Sequence, residues 1–126
     1  MKKVLFACGE NKKRSQMAEA IFNHFAKKAK AESAGAAPAE AVDPLTIEAL
    51  SEIGIQAPNL YPKKFTPEML QKADLIVSFG CLVKAQFPAD KFQEWHIEDP
   101  RTLKQFRQVR DVLLEKIKML IKTNNF

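Results

Sequence analysis

Short apolar runs alternate with helix-start signals along this chain, and that alternation restricts its fold more than any other feature. The apolar runs predict β-strands at residues 3–7, 32–35, 74–79 and 95–97. Strands that alternate with helices over short links form a parallel sheet covered by helices on both faces. We therefore expect an α/β fold, a three-layer sandwich with a four-stranded parallel sheet. Right-handed crossovers bring the carboxyl ends of the strands to one edge, where such sheets bind ligands.

Four helices are predicted between and after these strands. They are expected at residues 15–29, 43–54, 66–72 and 102–122. Asp43 and Thr66 each stand directly before a proline, and a capping side chain followed by proline is a common start of a helix. In the first and last of these helices, apolar residues recur at intervals of three and four, which predicts one buried face on each.

The composition is typical of one globular domain. The chain has 126 residues, of which 46% are hydrophobic and 28% are charged, so we expect a single domain over residues 1–126. No apolar run approaches the ~18 residues of a membrane span, and the run at residues 4–8 is too short for a signal peptide. Two cysteines that lie far apart, Cys8 and Cys81, do not make a disulfide scaffold. We expect a monomeric, cytoplasmic protein with reduced thiols and no membrane partner.

The net charge of +5, from 20 Lys and Arg against 15 Asp and Glu, bears on the choice of partner. Most basic residues are scattered without interleaved aromatic residues, which argues against a nucleic-acid partner. A Lys-rich surface is the simplest interpretation. Lys12, Lys13 and Arg14 nevertheless form a local cluster, and positive charge at a cleft raises the local concentration of small anions.

The polar segment 8–15, between the first predicted strand and the first helix, has the residue types that an oxyanion site needs. Backbone N–H groups of such a loop bind anions together with the positive end of the helix dipole. The predicted substrate-binding residues are Gly9, Glu10, Asn11, Lys12, Lys13, Arg14 and Ser15. A helix N-terminus also lowers the pKa of a nearby cysteine, so Cys8 is a candidate nucleophile. The alternative is an inert core cysteine followed by a solvated basic run.

Two side chains near this segment have individual roles in the chemical interpretation. The planar guanidinium of Arg14 matches two oxygens of a tetrahedral anion, which a lysine does not reproduce. The hydroxyl of Ser15 could donate a hydrogen bond to the thiolate of Cys8.

Asp99 and Cys81 follow other predicted strands and are expected at the same edge of the sheet. Asp99 could protonate an oxygen that leaves a Cys8 adduct, although Asp-Pro is also a helix-start signal, and both roles are compatible. Cys81 is either a second redox thiol that attacks this adduct or a small, partly buried residue. His24 and His96 are expected to be structural or exposed. No Cys/His cluster has metal-ligand spacing, so we expect no metal.

At these positions the chain resembles the low-molecular-weight protein tyrosine phosphatase superfamily and, within it, the arsenate reductases built on that fold. The resemblance covers nearly the whole chain and is carried by Cys8, Asn11 and the segments 14–20, 32–35, 74–81 and 95–100. Residues 106–111 resemble the reductases more than the phosphatases. The resemblance implies that Cys8 is the nucleophile, Arg14 the oxyanion clamp and Ser15 the thiolate's hydrogen-bond partner. It also implies that Asp99 is the general acid and that Asn11 holds the loop's shape.

The chain departs from the family pattern at two loop positions. Glu10 stands where the family usually has glycine, so its carboxylate must point outward or weaken anion binding. Lys13 stands where thioredoxin-coupled reductases have a second cysteine, so a three-cysteine relay within the chain is excluded. A reductase of this kind needs Cys81 or an external thiol, from glutathione, glutaredoxin or thioredoxin, to resolve the Cys8 adduct. No tightly bound cofactor is expected.

Three functions follow from these observations. The first is thiol-dependent reduction of arsenate through a Cys8 adduct. The second is hydrolysis of phosphomonoesters through a phosphocysteine. Against it, Tyr61 is the one tyrosine and Arg101 follows Asp-Pro, where such phosphatases often have aromatic residues. The third is a non-catalytic oxyanion-binding module, in which Glu10 and Lys13 reflect lost catalysis.

Overall fold

A computed structural model describes residues 1–80 and 87–126 of the chain. Within these residues it contains four β-strands, four α-helices and a short 3-10 helix. In chain order they are β1 (Lys2–Cys8), α1 (Arg14–Phe25), β2 (Ala29–Gly35), α2 (Pro44–Ser51), α3 (Pro67–Lys72), β3 (Leu75–Ser78), the 3-10 helix Ala89–Lys91, β4 (Phe92–Glu94) and α4 (Leu103–Asn124). In the described part of the chain, no helix combines the length and the apolar character needed to cross a membrane.

The four strands form one parallel sheet with the order β2-β1-β3-β4. Cys8, the last residue of β1, pairs with Gly35 at the end of β2, and Ala7 pairs with Ser78 at the end of β3. The predicted four-stranded parallel sheet is therefore confirmed. Its register brings the loops that follow β1, β2 and β3 to one edge.

Both faces of the sheet are covered, as predicted. Side chains along a strand alternate between its two faces, and in β1 Val4, Phe6 and Cys8 belong to the larger core, which α1, α2 and α4 cover. Leu5 and Ala7 point into a smaller core, which includes side chains from α3. The sheet is thus the middle of three layers, with most of the apolar packing on one side.

The starts of α2, α3 and α4 agree with the predicted capping residues. Asp43 Oδ1 accepts a hydrogen bond from Leu45 N at 2.9 Å, and Thr66 Oγ1 accepts one from Met69 N at 3.1 Å. Thr102 begins α4 with a capping box that it shares with Gln105. The predicted apolar stripe of α4 is buried. These local signals were sufficient to predict where the helices start, because a capping hydrogen bond joins residues only two or three positions apart.

The predicted boundaries of four elements were wrong. The fourth strand is Phe92–Glu94 and not 95–97, because Phe92 pairs with Ile76 of β3 and stacks on Phe87 at 5.0 Å between ring centroids. The first helix ends at Phe25, and residue 29 belongs to β2, which begins three residues earlier than expected. The second helix ends at Ser51, before the positive φ of Gly54.

An ion-pair cluster joins the end of α2 to α4. The Glu52 carboxylate accepts hydrogen bonds from Arg107 Nη2 at 2.6 Å and from Arg110 Nη1 at 2.8 Å. Arg110 Nη1 also donates to the carbonyl of Ala49 at 3.1 Å. The hydrogen bond from Arg107, followed by that from Arg110, lowers the pKa of Glu52 from 4.5 to about 2. The cluster therefore holds α2 against the helix that closes the larger core.

This cluster predicts an acid-sensitive contribution to stability. Because the pKa of Glu52 is lower in the folded chain, its contribution is complete above the unfolded pKa of 4.5 and is lost as the pH falls toward about 2. We expect Glu52→Gln to lower the free energy of unfolding at neutral pH and to flatten its decline in acid, as measured by urea unfolding at several pH values. Glu115→Gln, at an exposed position of α4, is the matched control. Equal pH dependence in the two variants would contradict the assignment.

Candidate active site

A cavity of about 220 Å³ opens at the edge of the sheet where β1 ends. It is lined by Cys8, Gly9, Glu10, Lys12, Lys13, Arg14 and Asp99. The residues between β1 and α1, called the anion loop below (residues 9–13), form most of its wall. The structure therefore brings together Cys8, Arg14 and Asp99, which the sequence places up to 91 positions apart.

Cys8 stands at the boundary between the larger core and this cavity. As the last residue of β1 it lies on the strand face that α1 and α4 cover, and the residue is 7% exposed. It also lines the cavity. A cysteine used only as core filling would not need access to such a cavity, so this position is compatible with a nucleophile.

The carbonyl groups of the anion loop are bonded to partners outside the loop. Gly9 O accepts from Ala37 N at 2.8 Å, Glu10 O from Ala39 N at 2.9 Å, Asn11 O from Gln16 Nε2 at 2.9 Å, and Lys12 O from Asp43 N at 3.1 Å and Thr46 Oγ1 at 2.9 Å. No peptide bond described is cis, and in a trans peptide the carbonyl and the next N–H point in opposite directions. The N–H groups of residues 10–13 therefore point away from these partners, toward the cavity. Such a ring of amides, at a helix N-terminus, is an anion site.

Asn11 maintains the turn in the anion loop. It is fully buried and has a φ of 52°, a left-handed conformation that asparagine tolerates better than most residues. Its Oδ1 accepts from Lys63 N at 2.8 Å and from Gln16 Nε2 at 3.0 Å, and its Nδ2 donates to Ser15 Oγ at 2.9 Å. These bonds connect the turn to α1 and to the segment before α3.

The side chains of Ser15 and Asn11 are fully buried and do not line the cavity, although both residues were predicted to bind substrate. The Ser15 hydroxyl accepts its hydrogen bond from Asn11 and keeps its own proton for donation. Donation to the Cys8 thiolate stays a prediction.

Arg14 is the first residue of α1 and is oriented by two strand-end carbonyls. Its Nη1 donates to Phe79 O at 3.1 Å and to Ile97 O at 2.6 Å, and its guanidinium carbon lies 5.9 Å from the Phe79 ring centroid. Arg14 Nε is buried and has no hydrogen-bond partner within residues 1–80 and 87–126. Arg14 lines the cavity, and a guanidinium oriented in this way can bind an oxyanion.

The Glu10 carboxylate is balanced by a neighbouring cation. Glu10 Oε2 lies 2.8 Å from Lys12 Nζ, and the Glu10 side chain is 58% exposed. Hydrogen bonding to Glu10 raises the pKa of Lys12, and the charges of Glu10, Asp43 and Asp99 act in the same direction. The carboxylate expected to oppose an anion thus faces a lysine at the solvent-exposed rim, and the ion pair reduces its repulsion of a bound anion.

The remaining predicted residues are placed as follows. Asp99 is exposed and borders the cavity, where Lys13 Nζ approaches its Oδ1 at 3.4 Å. Cys81 lies outside the described residues. His24 and His96 are both exposed, as expected. The described residues contain no group of three or more His, Cys, Asp or Glu side chains that could hold a metal ion.

Gly35 and Gln16 are site residues whose roles the sequence analysis missed. A Cβ at position 35 would lie 2.6 Å from Gly9 O and 2.9 Å from Cys8 O, so only glycine permits β2 to pass this close to the anion loop. Gln16 is fully buried and bonds both Asn11 and Tyr61 O. The turn expected after residue 35 was consistent with a glycine at that position. The close approach of Gly35 to the anion loop, however, depends on the pairing of β1 with β2.

This close approach predicts that Gly35→Ala disturbs the anion loop. The new methyl group must displace the backbone of Cys8 or Gly9, which we expect to cost about 1–3 kcal/mol of stability and to weaken phosphate binding. Urea unfolding and calorimetric titration with phosphate measure the two effects. Gly9→Ala is the control for stability, since a Cβ there meets nothing within 4 Å. A Gly35→Ala protein with unchanged stability and phosphate affinity would contradict the prediction.

Comparisons with known proteins agree with this geometry. The sequence profile for low molecular weight phosphotyrosine protein phosphatase matches residues 3–84. A glutaredoxin arsenate reductase from Synechocystis sp. is 30% identical over 127 residues, which cover 96% of this chain and 97% of the relative. An arsenate reductase from Bacillus cereus is 33% identical over 129 residues, covering 97% and 96% respectively.

Comparison with a solved structure also shows similarity over nearly the whole chain. An arsenate reductase in the phosphate binding state superposes with a TM-score of 0.83 and 31% identity, over 98% of each chain. The profile match includes the anion loop, α1 and all of β1 except its first residue. This chain belongs to the low molecular weight phosphotyrosine protein phosphatase family.

Proposed function

We propose that this protein reduces arsenate to arsenite with electrons from thiols. The observation that carries the proposal is the ring of inward amide groups and the oriented guanidinium of Arg14 beside Cys8. The relatives and the solved structure described above are named arsenate reductases, which supports arsenate as the oxyanion.

Binding and the first chemical step use the anion loop. Arsenate binds to the N–H groups of residues 10–13 and to the guanidinium of Arg14. The Cys8 thiolate attacks arsenic, a sulfur–arsenic bond forms and one arsenic–oxygen bond breaks. Asp99 gives a proton to the departing oxygen, which leaves as water. The fixed dipoles and the cation stabilise the charge on the remaining oxygens, usually the largest contribution to catalysis at such sites.

The second step transfers electrons to arsenic. A second thiolate attacks the sulfur of Cys8, a disulfide forms, and the electron pair of the sulfur–arsenic bond stays on arsenic. Arsenic is thereby reduced by two electrons to arsenite, and two thiols are oxidised to one disulfide. The second thiol is Cys81 or an external thiol such as glutathione, glutaredoxin or thioredoxin. The need for reduced thiols favours the cytoplasm as the location.

The nucleophile is tested directly by Cys8→Ser. Because a serine hydroxyl is far less ionised and cannot form the disulfide, we expect no thiol-dependent arsenate turnover in this variant and phosphate binding close to that of the wild type. Arsenite production measured with glutathione and glutaredoxin, or with thioredoxin, gives the first result, and calorimetry with phosphate gives the second. Thiol-dependent arsenate turnover that persists in Cys8→Ser would contradict the proposal.

Hydrolysis of a phosphomonoester is the second candidate, because a phosphatase of this family would use the same nucleophile, clamp and acid. In that reaction Cys8 takes the phosphoryl group, and water releases it with Asp99 as the base. Tyr61 is 61% exposed and has Lys63 Nζ 4.6 Å from its ring centroid, and Arg101 is exposed. Neither provides an aromatic wall at the cavity, which favours arsenate over an aryl phosphate.

The two candidates differ in what completes the cycle. Reduction predicts turnover that requires added thiol, and it predicts that arsenate protects Cys8 from iodoacetamide. If Cys81 is the second thiol, arsenate treatment also abolishes its labelling, and Cys81→Ser slows reduction.

Hydrolysis of p-nitrophenyl phosphate without thiol, at a rate unchanged in Cys81→Ser, would instead favour the phosphatase. Stabilisation by phosphate with no turnover of either substrate would leave a binding module.

A further inference from the structure

The segment that carries Asp99 is held at two points by consecutive cations of the chain. Arg14 Nη1 donates to Ile97 O at 2.6 Å, two residues before Asp99. Lys13 Nζ donates to Pro100 O at 3.0 Å, one residue after it. Asp99 is therefore bracketed by contacts from the end of the anion loop and the first turn of α1.

Lys13 adds a third contact, to the carboxylate itself. Its Nζ lies 3.4 Å from Asp99 Oδ1, and 5.9 Å from the ring centroid of Phe106 in α4. The Lys13 side chain is 16% exposed, whereas that of Asp99 is 54% exposed. A largely buried lysine with three neighbours is restricted in its movement, so it can hold the more exposed carboxylate.

We propose that Lys13 is the positioning residue for Asp99: it ties the acid to the anion loop so that the carboxyl group stays beside the oxygen that leaves. This inference rests on the proposed function, in which Asp99 protonates that oxygen. The position of a proton donor matters because misplacement by about 1 Å can slow a reaction by ~100-fold. Lys13 thus connects the group that binds the oxyanion to the group that protonates it.

Direct binding of the oxyanion by Lys13 is the competing explanation, since Lys13 also lines the cavity. The two roles predict different effects. A positioning residue changes the rate at saturating substrate and acts only through Asp99. An anion-binding residue changes the affinity for phosphate or arsenate, whether or not Asp99 is present.

A double-mutant cycle separates these roles. It compares the wild type, Lys13→Met, Asp99→Asn and the double variant. The rate of the Cys8 step is measured in single turnovers with arsenate and with two aryl phosphates, one with a good and one with a poor leaving group. Phosphate affinity is measured by calorimetry. Lys13→Arg keeps a cation and donors, and Lys72→Met, on the exposed surface of α3, controls for loss of a positive charge.

Positioning predicts that Lys13→Met slows the Cys8 step by ~10-fold or more and that the loss is larger for the poor leaving group, which depends more on the acid. It predicts little further loss when Lys13→Met is combined with Asp99→Asn. Phosphate affinity should change by less than about threefold, because the Lys13 cation is then paired with Asp99 and not with the bound anion. Lys13→Arg should keep most of the activity, and Lys72→Met all of it.

Two results would overturn the proposal. One is an equal effect of Lys13→Met in the presence and absence of the Asp99 carboxyl group. The other is a large loss of phosphate affinity with the saturated rate unchanged, which would make Lys13 an anion ligand.

A wild type that turns over neither arsenate nor aryl phosphate would overturn the proposed function separately. Amide hydrogen exchange then decides the inference about Lys13, because it needs no turnover. Faster exchange at residues 98–102 in Lys13→Met, but not in Lys72→Met, would show that Lys13 holds this segment. Unchanged exchange would refute it.

Discussion

The outward hydrogen bonds of the anion-loop carbonyls are the constraint on which the site depends. Each carbonyl of residues 9–12 is held by a partner outside the loop, and the planarity of the trans peptide then turns the following N–H groups inward. The anion site therefore requires no special side chain at most loop positions. It requires that β2, α1 and the turn before α2 occupy the correct places around the loop.

The same packing distributes charge around the cavity. The Arg14 guanidinium is oriented by backbone carbonyls that follow β3 and β4, and these uncharged partners do not cancel its positive charge. Lys12 balances Glu10 at the rim, and Lys13 faces Asp99. The site therefore accommodates the additional carboxylate of Glu10, and Arg14 still provides an oriented, positively charged donor for a bound anion. Lys12, two residues after Glu10, thus reduces the repulsion between the Glu10 carboxylate and a bound anion.

The sequence was sufficient to predict a four-stranded parallel sheet and the starts of the helices. Capping by Asp43 and Thr66 and the apolar stripe of α4 were predicted correctly because they depend on residues within one or two turns. The fourth strand was misplaced by three residues. Its three residues carry little periodic signal, and its position depends on pairing with Ile76 and on packing against Phe87. Such contacts are not visible in local sequence.

By itself, the sequence determined the order of strands and helices, the placement of Cys8 between a buried strand and a helix, and the cation cluster beside it. Periodicity, capping and charge are local properties, so these features follow from short windows of residues. Tertiary structure alone decided which groups meet: that Gly35 passes the anion loop, that Lys63 N donates to the Asn11 side chain, and that Lys13 reaches Asp99. These contacts join residues that are between 24 and 86 positions apart, and only the pairing of the strands and the packing of the helices bring them together.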